Sequence, residues 1–157
     1  MNPDLTGRDP LAFYLAHVHP LWMLGSLALA FLTLRAGLAL RRARRLGHAR
    51  SAAAYRRHLG LAKPTLVCVA VGFAAGIASS VGLRGWDAFG TAHGVVAVAA
   101  LAAFLATGAL GRRLERQAAQ SAARSGRSRA VEWHARLAAL AVLLAAAAIG
   151  TGFVLLP

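Results

Sequence analysis

The sequence predicts an all-α integral membrane protein, a bundle of four membrane-crossing helices. Three observations carry that expectation: four long apolar stretches, a positive charge gathered between them, and no run of residues left for a second domain. Of the 157 residues 58% are hydrophobic, yet the formal charge is +13, and a water-soluble domain is rarely so apolar and so basic together. The two properties must occupy different segments.

The apolar stretches fall near residues 20–40, 61–83, 91–110 and 133–156. At a rise of ~1.5 Å per residue, about 20 residues of helix cross a hydrocarbon core of ~30 Å. Each stretch is apolar on nearly every side, as a lipid-embedded helix must be where no water can satisfy the backbone. Asp4, Arg8 and Asp9 precede the first stretch in place of a basic run, and the stretch is too long for the core of a signal peptide. It is expected to stay in the mature chain. Asp9-Pro10 reads as a cap and first turn for a helix running from Leu11 with Pro20 as a kink; alternatively the span opens at Pro20 and the preceding segment lies in the interface. The second stretch holds Cys68, the only cysteine, which excludes an internal disulfide and reads as a small buried apolar residue. The turn Arg84-Gly85-Trp86-Asp87 leads to the third stretch. Residues 117–129, rich in Ala, Ser and Gly, read as a flexible connector to the fourth. No repeat of fixed short period stands out, and the chain reads as a single transmembrane domain, 1–157.

Of the 18 Lys and Arg, nine lie between Arg35 and Lys63 and seven between Arg112 and Arg136. By the positive-inside rule both basic loops face the cytoplasm, and both termini with the 84–87 turn face the other side, which fits a bacterial cytoplasmic membrane. Membrane topology and attraction to anionic lipid headgroups account for Arg41, Arg42, Arg44, Arg45 and Arg50, so nucleic acid is not an expected partner.

Ionisable groups at membrane depth are costly, and here they are histidines. His48 sits among arginines as a solvated loop residue. His19 lies at the outer end of the first span and His93 at the outer start of the third. His58 opens the second span from the inner side and His134 the fourth. Consecutive helices of a short-looped bundle are antiparallel neighbours, so first with third and second with fourth face each other across the diagonals. Two imidazoles opposed across an apolar interior at one depth suit the axial positions of a haem iron; a zinc site would need four close ligands. From His93 to Arg112 is 19 residues, ~28 Å of helix, room for two haems, one toward each face. Without a Cys-x-x-Cys-His motif the haem would be b-type.

His17 and His19 point opposite ways on a continuous helix, and His19 is the expected ligand, with His17 the alternative. Gly72, Gly76, Gly94, Gly108, Gly150 and Gly152 offer small surface, either for a flat macrocycle or for ordinary helix packing. Arg57 and Arg136 on the inner side, and Arg84 and Trp86 on the outer, are candidates to meet haem propionates, although arginines at span ends also serve as topology anchors.

His19-Pro20, Arg57-His58, His93-Gly94 and Trp133-His134-Ala135-Arg136 each open a span, at intervals of 39, 35 and 41 residues (58 − 19, 93 − 58, 134 − 93). In this pattern the whole chain resembles the cytochrome b561 superfamily, especially its small bacterial four-helix relatives. The resemblance implies a di-haem membrane protein passing electrons across the bilayer, with His19 and His93 on the outer iron and His58 and His134 on the cytoplasmic one. The six-helix members carry sites for ascorbate or monodehydroascorbate; no such motif stands out here, so no substrate is carried over.

Two functions of different class follow as expectations. One is a transmembrane electron carrier with oxidoreductase character, exchanging with a redox protein, a quinone or a small reductant. The other is a membrane anchor or assembly subunit of a larger redox complex, with haem or without. A pore or transporter ranks below both, because Thr33, Thr65, Ser79, Ser80 and Thr107 are scattered and such hydroxyls bond their own helix carbonyls.

Overall fold

A computed structural model of the chain describes residues 10–48, 51–83, 85, 87, 89–119 and 124–154. The described residues form four helices, α1 (Pro10–Arg45), α2 (Ala52–Ala78), α3 (Ala92–Ala119) and α4 (Arg124–Phe153), with a π-helical turn, Ser79–Leu83, closing α2. All four are long and apolar enough to cross a membrane, which is the make-up of an integral membrane protein. Asp9, Arg50, Arg84, Trp86 and both termini lie outside the described residues.

The helices outrun the apolar stretches that announced them. Hydropathy marks the lipid-facing length, whereas Ala and Arg continue a helix well into water. So α1 begins at Pro10, passes through Pro20 and ends only at Arg45. The reading of 117–129 as a flexible connector is corrected for the same reason: α3 runs on to Ala119 and α4 starts at Arg124. What stops α1 is Gly47, whose φ of 69° only glycine adopts without strain. The Gly47 amide donates to the carbonyl of Arg44 and the His48 amide to that of Ala43, closing the helix end. Ser51 accepts from the Ala54 amide to start α2, and Thr91 from the Gly94 amide to start α3.

Consecutive helices pack side by side and α1 also packs on α4, so the four stand around a square. The pairs α1–α2 and α3–α4 are the most closely joined; α2 and α3 touch least. The diagonals, α1 with α3 and α2 with α4, do not pack backbone against backbone. The core is built of small residues, Ala30, Ala103, Ala141 and Ala145, with Val69 and Phe104. Leu21, Phe31, Val67, Val95 and Leu143 are exposed instead. Small residues let helix backbones approach, and in lipid the large apolar side chains gain nothing by facing inward. Among the described hydroxyls, Thr33, Thr65 and Thr107 each donate to the carbonyl one turn back, to Leu29, Leu61 and Ala103.

At the basic end Glu132 of α4 accepts from Arg41 and, at 3.0 Å, from Arg45, both on α1. That clasp joins the first helix to the last. It lies two residues before His134.

Candidate metal centres

His19 and His93 meet across one diagonal, their ring centroids 6.5 Å apart and their planes at 80°. His58 and His134 meet across the other, at 6.3 Å and 88°. Two layers result: the first at the end holding the π-helical turn, the second toward the basic end. His17 is half-buried and belongs to neither pair; His48 is exposed in the turn after α1.

The orientation of the rings follows from what their other nitrogens meet. Nδ1 of His93 lies 2.8 Å from the carbonyl oxygen of Ala148, that of His58 3.3 Å from Thr33, and that of His134 3.2 Å from Thr107. A carbonyl oxygen only accepts, so in each of the three Nδ1 carries the proton and donates. The neutral ring then keeps its lone pair on Nε2. This is the arrangement that prepares a histidine to bind a metal, with one nitrogen fixed by the fold and the other free to coordinate.

The spacing can be checked against coordination chemistry. Two metal–nitrogen bonds of about 2 Å, each extended by the ~1.1 Å from ring nitrogen to ring centre, put the centroids of two axial imidazoles ~6.2 Å apart. Both observed separations match that within a few tenths of an ångström. Rings packed edge to face for their own sake sit at 4.5–7 Å, so the distance alone does not choose, but the carbonyl-bonded Nδ1 atoms do point the lone pairs away from the backbone. Among the described residues no three His, Cys, Asp or Glu converge, so the protein supplies two ligands per layer and not the four of a tetrahedral zinc site.

An apolar cavity opens at the first layer, bordered by His19, His93, Met23, Phe73 and Phe104, with Ser79, Ser80, Asp87 and Thr91 as its polar lining. The cavity's volume is about 120 Å³.

The glycines do not share one task. Gly72 is packed by Trp22 and Met23, and Gly108 by Leu66, so both serve helix packing; nothing lies within 4 Å of where a Gly150 side chain would be. Gly94 is buried on the cavity wall. Gly76 and Gly152 instead lie against the rings of His19 and His93, and two glycines that sequence reasoning passed over, Gly37 and Gly111, lie against His58 and His134. Of the four propionate candidates, Arg136 stacks its guanidinium 5.6 Å above the Trp133 ring, Arg57 is exposed, and Arg84 and Trp86 are outside the described residues. Cys68 is a free cysteine whose carbonyl accepts from the Trp22 indole at 2.8 Å.

No family model, no curated protein and no solved structure matches the chain.

Proposed function

We propose that the chain is a di-haem b-type membrane cytochrome, similar in plan to cytochrome b561, in which His19 with His93 and His58 with His134 would each hold one haem iron. The observation that carries this reading is the pairing of four histidines across the two diagonals of the bundle, 6.5 and 6.3 Å between ring centroids, with Nδ1 of His58, His93 and His134 held by backbone carbonyls so that Nε2 is left to coordinate. Haem, when bound, supplies a one-electron redox centre at each layer. The chain's residues do the rest. Nδ1 donation to Thr33, Thr107 and Ala148 orients the imidazoles of His58, His134 and His93 and makes each a stronger donor. The basic end faces the cytoplasm of a bacterial inner membrane, so electrons would pass between a donor on one face and an acceptor on the other, a quinone, a redox protein or a small reductant.

The test is a set of histidine substitutions in detergent-purified protein. His93→Ala and His134→Ala should each abolish one of two reducible low-spin centres, whereas His17→Ala and His48→Ala should keep both. A chain that retains both centres after His93→Ala would be inconsistent with the assignment.

A further inference from the structure

Each helix carries one histidine and, 18 residues later, one glycine: His19 and Gly37, His58 and Gly76, His93 and Gly111, His134 and Gly152 (37 − 19, 76 − 58, 111 − 93 and 152 − 134 are all 18). Eighteen residues are five turns at 3.6 per turn, so histidine and glycine share one helix face, ~27 Å apart along the axis. Neighbouring helices are antiparallel. The histidine of one therefore stands at the depth of the glycine of the next.

The structure brings these partners into contact in all four cases. A methyl group built on Gly37 would lie 3.1 Å from Cε1 of His58, on Gly76 2.8 Å from Cε1 of His19, on Gly111 3.1 Å from Cε1 of His134, and on Gly152 3.0 Å from Cε1 of His93. Unstrained carbon–carbon contacts fall at about 3.5–4.0 Å, so no side chain larger than hydrogen fits while the ring stays where it is. The carbonyls that hold Nδ1 belong to the same places: Thr33, Thr107 and Ala148 each lie four residues, one turn, before the glycine their histidine rests on (37 − 33, 111 − 107, 152 − 148).

We propose that Gly37, Gly76, Gly111 and Gly152 are positioning residues, each a seat that lets one imidazole lie against a neighbouring backbone and so sets the direction of its Nε2. Each layer takes its two histidines from one diagonal and its two seats from the other. All four helices therefore define each centre, although only two contribute ligands. The seats explain the 6.5 and 6.3 Å separations, because a ring pressed off its glycine shifts toward or away from the ring opposite.

The inference rests on the di-haem reading for its spectroscopic readout. In purified protein Gly76→Ala and Gly152→Ala should change the low-spin electron paramagnetic resonance signal and midpoint potential of the His19–His93 centre and weaken its haem binding about tenfold or more, leaving the other centre unaltered. Gly37→Ala and Gly111→Ala should do the reverse. Gly25→Ala, Gly60→Ala and Gly150→Ala, with nothing within 4 Å of the new methyl, are the controls and should alter neither. Seat variants that match the controls, or that disturb both centres alike, overturn the proposal while leaving the haem reading intact.

A second measurement is independent of haem. If Gly76→Ala acts by striking the ring, removing that ring should relieve it, so His19→Ala with Gly76→Ala should be no less stable to heating than His19→Ala alone. The same holds for His58→Ala with Gly37→Ala. Seats that destabilise equally whether or not the histidine is present contradict the proposal, and a haem-free wild-type chain would refute the haem reading without touching this result.

Discussion

At the scale of single residues, the four histidines were legible because an imidazole in an apolar stretch is conspicuous, and charge asymmetry sorted them into layers. His19 over His17 was legible only as a preference; the structure separates them by where the rings lie, His19 against Gly76 and across from His93. The glycines were less readable, because a glycine's task depends on what approaches it. Gly72, Gly76 and Gly150 look alike in sequence, yet one meets Trp22 and Met23, one an imidazole and one open space. The signal that distinguishes the four seats, a fixed interval of 18 from histidine to glycine, was present in the sequence, but only as a relation between distant positions. The contrast yields a prediction. Gly72→Ala should overpack the α1–α2 contact at a cost of about 1–3 kcal/mol, lowering thermal stability without changing the spectrum of either centre. A spectral change confined to the His19–His93 centre would show that Gly72 acts on the ligand as well.

At the scale of elements, the number of helices followed from hydropathy, and their ends did not. The apolar runs report contact with lipid; helix ends report capping, as at Gly47, Ser51 and Thr91. Helical extension of α1 to Arg45 has a structural consequence, since it carries Arg41 and Arg45 far enough to clasp Glu132. The clasp is partly exposed to water, so Glu132→Gln should cause a small loss of thermal stability that vanishes at high salt. A salt-independent loss would mean that Glu132 is held by packing rather than charge.

For the whole molecule, the two helical hairpins are versions of one plan. His19, Thr33 and Gly37 recur 74 residues on as His93, Thr107 and Gly111, and His58 and Gly76 recur 76 residues on as His134 and Gly152. Helices α1 and α2 form one tight pair and α3 and α4 the other, with α2 and α3 the loosest contact. Each histidine pair spans the two hairpins. A group bound between them therefore ties one half of the bundle to the other, and a ligand at a hundred times its Kd stabilises the folded state by about 2.7 kcal/mol. Chain stripped of haem should be cut by protease near residues 85–91 faster than loaded chain; equal rates would mean that the hairpins hold each other unaided.

The central claim is that the bundle exists to hold two irons between paired imidazoles. Haem quantification of the purified, detergent-solubilised protein, read with a dithionite-reduced spectrum, tests it most directly. The account predicts two b-type haems per chain, with a reducible α-band and two low-spin centres. A chain that folds in the membrane and binds no haem would contradict it.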